Sequence, residues 1–436
     1  MMWYRASAGE LISIGDSITA GASASASNSW PALVAKSRAL QLRNLSYGSA
    51  GVADYARQAS GGFSNLYFGT TSPDAISRGM DFAILAGYND MRDWGTNASF
   101  LSHFERTLDA VVGWLALPSE SKFFGTDNLI RRTGNWLVST NYQNLNEPIA
   151  IESTEIGAKA EFELYGTSLF ICCLARSRPA VPFVSGQSGL PYSKGGGFEL
   201  TVDDRKIGFL PCFGAYGNRK AINGSDAFIP EFIDFAPHLY RVTGLRRGIH
   251  QVQLTVVSNE TPATFIWAAG NSVFTNRPSL PRVLVGTTLR MTPEGYATRS
   301  RYGSDIAVDA YRRIIADVTR KWFDDGASTA AVDTDLFYSP ASGISTDLVH
   351  PADAGHRAIS DAFTSTTWSR LRVSRVDGGE VGIEVLTEIG ASLLVETSGD
   401  FHTWEPAWHF TATHPISTYS DNSGGSKRFF RVRSAP

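Results

Sequence analysis

Leu11-Ile12-Ser13-Ile14-Gly15-Asp16-Ser17-Ile18-Thr19 runs from a short apolar strand candidate into a loop of small residues, and the helix-like run Trp30-Pro31-Ala32-Leu33-Val34-Ala35 follows. A serine in that place sits at the carboxyl edge of a sheet, where open α/β folds keep their sites. Asp-Ser in a loop is also a common turn or helix cap. Ser17 is therefore a candidate nucleophile whose standing depends on a base and an oxyanion hole supplied elsewhere.

Working outward, residues 1 to about 118 alternate between strand and helix texture. A helical stretch near Trp30 to Leu40 precedes a second strand around Arg43 to Tyr47. The third strand, Asp81 to Ala86, is continuously apolar after its first residue, as for a strand buried on both faces of a parallel sheet. Leu101, Phe104, Leu108, Val111, Val112 and Leu115 then recur at helical spacing. From about Glu120 to Ser272 the texture changes to short alternating runs, such as Ala160 to Gly166, Gly197 to Asp204 and His250 to Val256, separated by Gly, Ser, Asn and Pro. Period-two alternation with regular turn signals predicts an antiparallel sandwich. The α/β texture resumes at Pro281 to Gly286, with a helix over Ser304 to Phe323, a strand over Thr329 to Val332 and a last helix over Ala352 to Phe363. The expected organisation is an α/β domain in two parts, 1–119 and 277–370, interrupted by a β-sandwich at 120–276 and followed by a small β module at 371–436. A tail of that size is near the lower limit for independent stability and is expected to pack on a neighbour.

The composition narrows the function. At 436 residues the chain is long enough for about two to three domains. A net charge of −3 with no clustered Lys/Arg run argues against a nucleic acid or an anionic membrane surface as partner. No apolar run approaches the length of a membrane span. The three cysteines, Cys172, Cys173 and Cys212, suggest no disulfide framework, and the adjacent pair would point to opposite faces of a strand, with at least one of them a buried small hydrophobe. No His or Cys spacing suggests a metal site, and no cofactor is implied. Met1 to Arg5 lacks the apolar core of a signal peptide. Either an export signal has been removed, or the protein leaves its cell by another route.

Three further segments bear on Ser17. Asp347-Leu348-Val349-His350-Pro351 places a carboxylate and an imidazole three residues apart before the last helix. Brought to Ser17, one ring nitrogen can take the hydroxyl proton while Asp347 fixes the tautomer through the other; alternatively, Asp347 caps the helix and His350 is solvated. Gly87-Tyr88-Asn89-Asp90 follows the third strand, and an Asn89 N–H there can donate to a developing oxyanion or simply make a turn. Ser46-Tyr47-Gly48-Ser49-Ala50-Gly51 follows the second strand, where a glycine allows close backbone approach or merely serves turn geometry.

These four blocks, in this order, resemble those of the SGNH hydrolases, the GDSL esterases and lipases, over roughly residues 8 to 118 and 279 to 368. The resemblance implies a three-layer α/β/α, flavodoxin-like parallel sheet. It implies Ser17 as nucleophile, His350 and Asp347 as the rest of a triad, and the Ser17 N–H, Gly51 and Asn89 as oxyanion donors. Ser46 stands where the family usually has Asn, so Gly48 remains a rival to Gly51. The large β insertion is also unusual for the family. Its strands and the run Leu245 to His250 resemble the jelly-roll modules that accompany some carbohydrate esterases. An acylated polysaccharide is then the expected substrate and O-acetyl removal the expected reaction, acting outside the cell or on a virion. A lipase or thioesterase acting on longer acyl chains is the alternative within enzymes. A catalytically inactive carbohydrate-binding or adhesion protein is the alternative outside them.

Other residues read as structural. His356 fits the Gly-His pair that opens the last helix in many members of the family. Asp90 reads as a loop hydrogen-bonder, Ser23, Ser25 and Ser27 as a flexible loop, and Trp94 as a packed aromatic or a pocket wall. The tail pattern Leu394 to Trp404, with Arg428 to Arg433, is similar to small accessory β modules of secreted bacterial proteins.

Overall fold

The computed structural model describes residues 9–59, 81–144, 147–176, 195–216, 235–276, 281–366, 369–375, 381–387, 392–399, 403–413, 416–421 and 429–434. The chain divides into two compact units, Met1–Phe363 and Thr364–Pro436.

The first unit begins with β1 (Glu10–Ile14), α1 (Trp30–Ser37), β2 (Gln41–Asn44), α2 (Val52–Ala59), β3 (Asp81–Leu85), α3 (Tyr88–Trp94) and α4 (Ala98–Ala116). The last four residues of β1 and all of β3 are buried, because the apolar runs that form them are covered on both faces. The second strand ends at Asn44, earlier than its sequence suggests. The Asn44 side chain accepts from the Ser46 N–H at 3.1 Å and from its hydroxyl, which bends the chain out of the sheet. Sequence periodicity did not reveal α2, a helix of eight residues.

Eleven strands follow: β4 (Phe123–Phe124), β5 (Arg131–Thr133), β6 (Leu137–Asn144), β7 (Glu147–Ser153), β8 (Lys159–Gly166), β9 (Leu169–Arg176), β10 (Gly197–Val202), β11 (Arg205–Pro211), β12 (Phe235–Val242), β13 (Gly248–Ser258) and β14 (Ala263–Gly270). They form two antiparallel sheets, one ordered β12-β9-β14-β7-β6 with β4 beside β14, the other ordered β11-β10-β13-β8-β5. Their facing sides share a core that includes Phe162, Leu164, Ile171, Cys173, Phe198 and Phe265. Asp203 and Asp204, both with positive φ, make the tight hairpin from β10 to β11.

The chain then returns through β15 (Arg282–Gly286), α5 (Pro293–Arg299), α6 (Asp305–Asp325), β16 (Thr329–Val332), α7 (Pro340–Gly343) and α8 (Asp353–Ser365). Capping by Asn97 and Ser304 starts α4 and α6, and Gly326 in the left-handed region ends α6. The five strands β2-β1-β3-β15-β16 form one wholly parallel sheet. The strand order reverses between β1 and β3, which opens a crevice at their carboxyl ends. Helix α4 packs against α2 and α6, and α1 and α8 meet through the stacked rings of Trp30 and Phe363, 4.4 Å apart.

The sandwich does not hang from this sheet as a separate bead. Strand β9 is buried along nearly its whole length: Phe170, Cys172 and Leu174 join the core of the parallel-sheet region, while Leu169, Ile171 and Cys173 join the sandwich core. Both cysteines are thus buried, one on each face. Arg241 of β12 fastens the contact by pairing with Asp109 of α4 at 2.7 Å and Asp325 of α6 at 2.6 Å, its guanidinium lying 4.2 Å from the Trp322 ring. Trp322 in turn donates its indole N–H to Asp109 at 2.5 Å.

The second unit contains β17 (Ser369–Arg375), β18 (Val381–Thr387), β19 (Ser392–Ser398), β20 (Glu405–Thr411), β21 (Ile416–Asp421) and β22 (Phe429–Ser434) in two three-stranded antiparallel sheets. Ile383, Val385, Leu393 and Val395 form its core. Of the tail pattern read from the sequence, Asp400 to His402 and Arg428 lie outside the described residues.

Candidate active site

The loop after β1 is shaped from beneath. Gln58 of α2 holds the Gly15 backbone in a two-pronged clamp, accepting from its N–H at 2.7 Å and donating to its carbonyl at 2.8 Å. A Cβ on Gly15 would stand 2.7 Å from that of Thr19, so only glycine lets the loop close this tightly. Asp16 is fully buried and accepts from the Ile18 N–H at 2.9 Å. Burial pushes its carboxyl up to about 6, although that N–H and the nearby His350 ring pull the other way.

Ser17, half-buried at the crevice, has its Oγ 2.9 Å from His350 Nε2. His350 Nδ1 lies 2.6 Å from Asp347 Oδ2. A proton on Nδ1 shared with the carboxylate leaves Nε2 free to accept from the Ser17 hydroxyl, the tautomer this network favours. The other Asp347 oxygen accepts from the Ser345 hydroxyl at 2.7 Å and from the N–H groups of Val349 and His350, each at 2.9 Å. Burial raises the Asp347 carboxyl, but these donors and the imidazole outweigh it and hold the group well below the usual carboxylate range. Leu348 between them takes a positive φ of 64°, and an isolated bridge from Ile344 to Pro351 closes the base of the loop. The Tyr88 hydroxyl donates to the Val349 carbonyl at 2.7 Å and ties the loop to α3.

Asn89, in the first turn of α3, donates from Nδ2 to the Ala50 carbonyl at 3.1 Å and to Asp16 Oδ2 at 3.4 Å. Its Oδ1 accepts from Arg92 at 3.2 Å, which turns the amide so that its N–H groups face the Ser17 loop. Gly51 is buried, and its N–H donates to Asp54 Oδ2 at 3.0 Å in the first turn of α2. Gly48 is exposed, with open space where a Cβ would be. The structure therefore brings Ser17, His350 and Asp347 into one hydrogen-bonded chain, and the Asn89 amide reaches Asp16, the residue before Ser17. The Gly51 N–H is directed into α2.

The remaining candidates have structural partners. Asp90 accepts from the Val52 N–H at 3.1 Å, joining the loops after β2 and β3, and burial raises its carboxyl. His356 accepts at Nδ1 from the Trp30 N–H and reaches the Ala22 carbonyl through Nε2, both at 3.2 Å. The serine-rich loop, expected to be flexible, is tied down where Asp353 accepts from the Ser25 N–H at 3.0 Å and the Asn28 amide at 2.8 Å. Trp94 stacks on Phe100 at 4.9 Å and meets Tyr216 of the insertion edge-on at 4.8 Å. Among the described residues, no group of three or more His, Cys, Asp or Glu is placed to hold a metal ion. Sequence reading missed Gln58, Arg92 and Tyr88. The signal that could have found Gln58 was Asp54 three residues after Gly51, a side chain placed to reach back and start a helix.

This chain of groups can move a proton from a serine hydroxyl to an imidazole held by a carboxylate. No protein-family model matches the chain, and no curated protein matches it. Among solved structures it is similar to a two-domain esterase (CEX) active on acetylated mannans, co-crystallised with mannopentaose, at 10% identity over 63% of this chain and 92% of that one, with a TM-score of 0.31. It is also similar to a family two carbohydrate esterase from Cellvibrio japonicus, at 8% identity over 56% of this chain and 95% of that one, TM-score 0.21. A third likeness is to a family 35 carbohydrate binding module from Clostridium thermocellum, at 10% identity over 34% of this chain and 94% of that one, TM-score 0.20. All three likenesses are distant in sequence and in overall superposition.

Proposed function

We propose that this chain is a serine ester hydrolase of the SGNH type that removes short acyl groups, O-acetyl foremost, from a polysaccharide. The observation that carries the reading is the continuous contact Ser17 Oγ to His350 Nε2 to Asp347 at the carboxyl edge of the parallel sheet. On this reading residues 1–119 and 277–370 form the three-layer hydrolase domain, 120–276 the inserted sandwich and 371–436 an accessory module. The choice of an acylated sugar polymer rests on the resemblance of the insertion to modules that accompany carbohydrate esterases.

Ser17 Oγ attacks the acyl carbonyl carbon while its proton passes to His350 Nε2, and the carbonyl electrons move onto oxygen. The Ser17 N–H and the Asn89 amide donate to that oxyanion, with Gly51 or Gly48 as the third donor. Collapse expels the sugar oxygen, which takes the proton from His350 Nε2. Water then attacks the acyl-serine, giving its proton to the same nitrogen, and the carboxylic acid leaves as Ser17 is reprotonated. Asp347 stays ionised throughout and stabilises the imidazolium.

Acetate release from a panel of acetylated polysaccharides, with p-nitrophenyl acetate and octanoate alongside, tests this. Ser17→Ala is expected to lose at least ~10³-fold in turnover. Unchanged turnover would place the nucleophile elsewhere, and a clear preference for octanoate would replace the deacetylase with a lipase.

A further inference from the structure

The outer face of the β8–β13 sheet carries a cleft of about 830 Å³ that the proposed hydrolysis does not use. Ala160, Phe162 and Leu164 of β8 point into the sandwich core, so Glu161, Glu163 and Tyr165 point away from it. Register sets each of these opposite an outward residue of β13: Tyr165 faces Ile249, Glu163 faces Gln251 and Glu161 faces Gln253. The result is one apolar rung followed by two polar ones, extending about 13 Å along the strands.

The apolar rung is unusually exposed. Leu129 at 75%, Ile249 at 63% and Tyr165 at 44% all line the one concavity, which distinguishes them from scattered surface hydrophobes. The polar rungs are already fixed in place. Gln251 donates to Glu163 Oε1 at 2.5 Å, Gln253 to Glu161 Oε1 at 2.6 Å, and Arg131 to Glu161 Oε2 at 2.6 Å. Side chains held in this way lose little further freedom when a ligand arrives. The second Glu163 oxygen and the Gln251 amide oxygen are acceptors, so the matching ligand brings donors. Two carboxylates against one guanidinium disfavour an anion, and the polar rungs disfavour a purely apolar guest.

We infer that this cleft binds a segment of a neutral polysaccharide, its ring C–H faces on Tyr165, Ile249 and Leu129 and its hydroxyls on Glu163, Gln251 and Arg131. The site is remote from Ser17. Helix α4 leaves the carboxyl edge of the parallel sheet, where Asn89 lies, and runs about 28 Å to the opposite edge, where Ser121 and Val273 wall the cleft. A chain held there anchors the protein on a polymer without occupying the crevice. Only the choice of a polysaccharide as occupant rests on the proposed function.

Affinity electrophoresis of the full chain through deacetylated glucomannan, xylan and arabinogalactan tests the cleft without any chemistry. Retardation by at least one polymer is expected. It should persist in about 0.5 M NaCl and weaken at least ~10-fold in Tyr165→Ala and in Gln251→Ala. Both variants should keep the parent melting temperature and the parent rate on p-nitrophenyl acetate. Three outcomes overturn the inference: no retardation by any of the three polymers, retardation unchanged in both variants, or loss of retardation in salt, which shows an ionic attachment in place of contact with neutral sugar. Ser17→Ala separates the two readings. If it binds the polymer without hydrolysing esters, both stand; a parent chain that hydrolyses esters but is not retarded removes the cleft alone, and one that is retarded but inactive on every ester removes the hydrolase alone.

Discussion

In the loop of residues 345–351 both oxygens of Asp347 are turned toward His350 and its neighbours, whereas in the loop of residues 45–51 the Gly51 N–H is turned toward Asp54 in α2. The first loop is a local device: acid and base lie three residues apart, and the intervening turn is closed by their own hydrogen bonds. The second depends on groups brought from other strands, with Asn89 on Ala50 and Asp90 on Val52. A proton-transfer pair can thus be preset by a short stretch of sequence. The donors proposed for developing negative charge have to be assembled by the sheet, here among buried acids that hold the neighbouring N–H groups.

The comparison breaks most readily at Asp347. Asp347→Asn keeps the shape but removes the charge that holds the ring, and turnover on p-nitrophenyl acetate is expected to fall by about 10⁴-fold. A fall of less than tenfold would mean that the turn alone positions His350. Asn89→Ala should cost roughly 10²-fold in kcat with little change in KM, because in the proposed mechanism its amide donates to the oxyanion and not to the ground-state ester. A change confined to KM would remove Asn89 from that role.

Asp16 sharpens the contrast through pH. Because its folded-state pKa is raised to about 6, the folded protein favours the protonated acid. The contribution is fully present below about pH 4 and is lost as pH rises through 6, amounting to about 3 kcal/mol. Urea unfolding between pH 4 and 7 should show Asp16→Asn lacking this decline, and parallel curves for parent and variant would refute the assignment. The smallest expected effect is at Asp54→Ala, where loss of the bond to the Gly51 N–H should cost about 1 kcal/mol of stability in the same assay. If kcat rises in that variant, Gly51 is the third donor and Asp54 its competitor; if kcat is unmoved, Gly48 gains.

Legibility in the sequence varies by region. Strands β1, β3, β15 and β16 were legible because a short, mostly apolar run between turn residues is too short for most helices and too apolar for a loop. Ser17, Asn89, Asp347 and His350 stood out as reactive residue types at loop positions. Gln58 and Arg92 were not legible: a polar residue on an amphipathic helix looks the same whether it faces water or holds a neighbouring loop. The docking of the sandwich was hidden for a related reason. Leu169 to Ala175 is apolar at every position, and such a run says that both faces are covered without saying by what.

That double burial bears on transplantation. Excising residues 120–276 would strip α4 and α6 of the surface that covers them and strand Asp109 and Asp325 without Arg241, and the sandwich would lose one wall of β9. A swap of insertions between relatives would therefore have to carry the matching helix faces with it. Sandwich and parallel-sheet scaffold are constrained to diverge together.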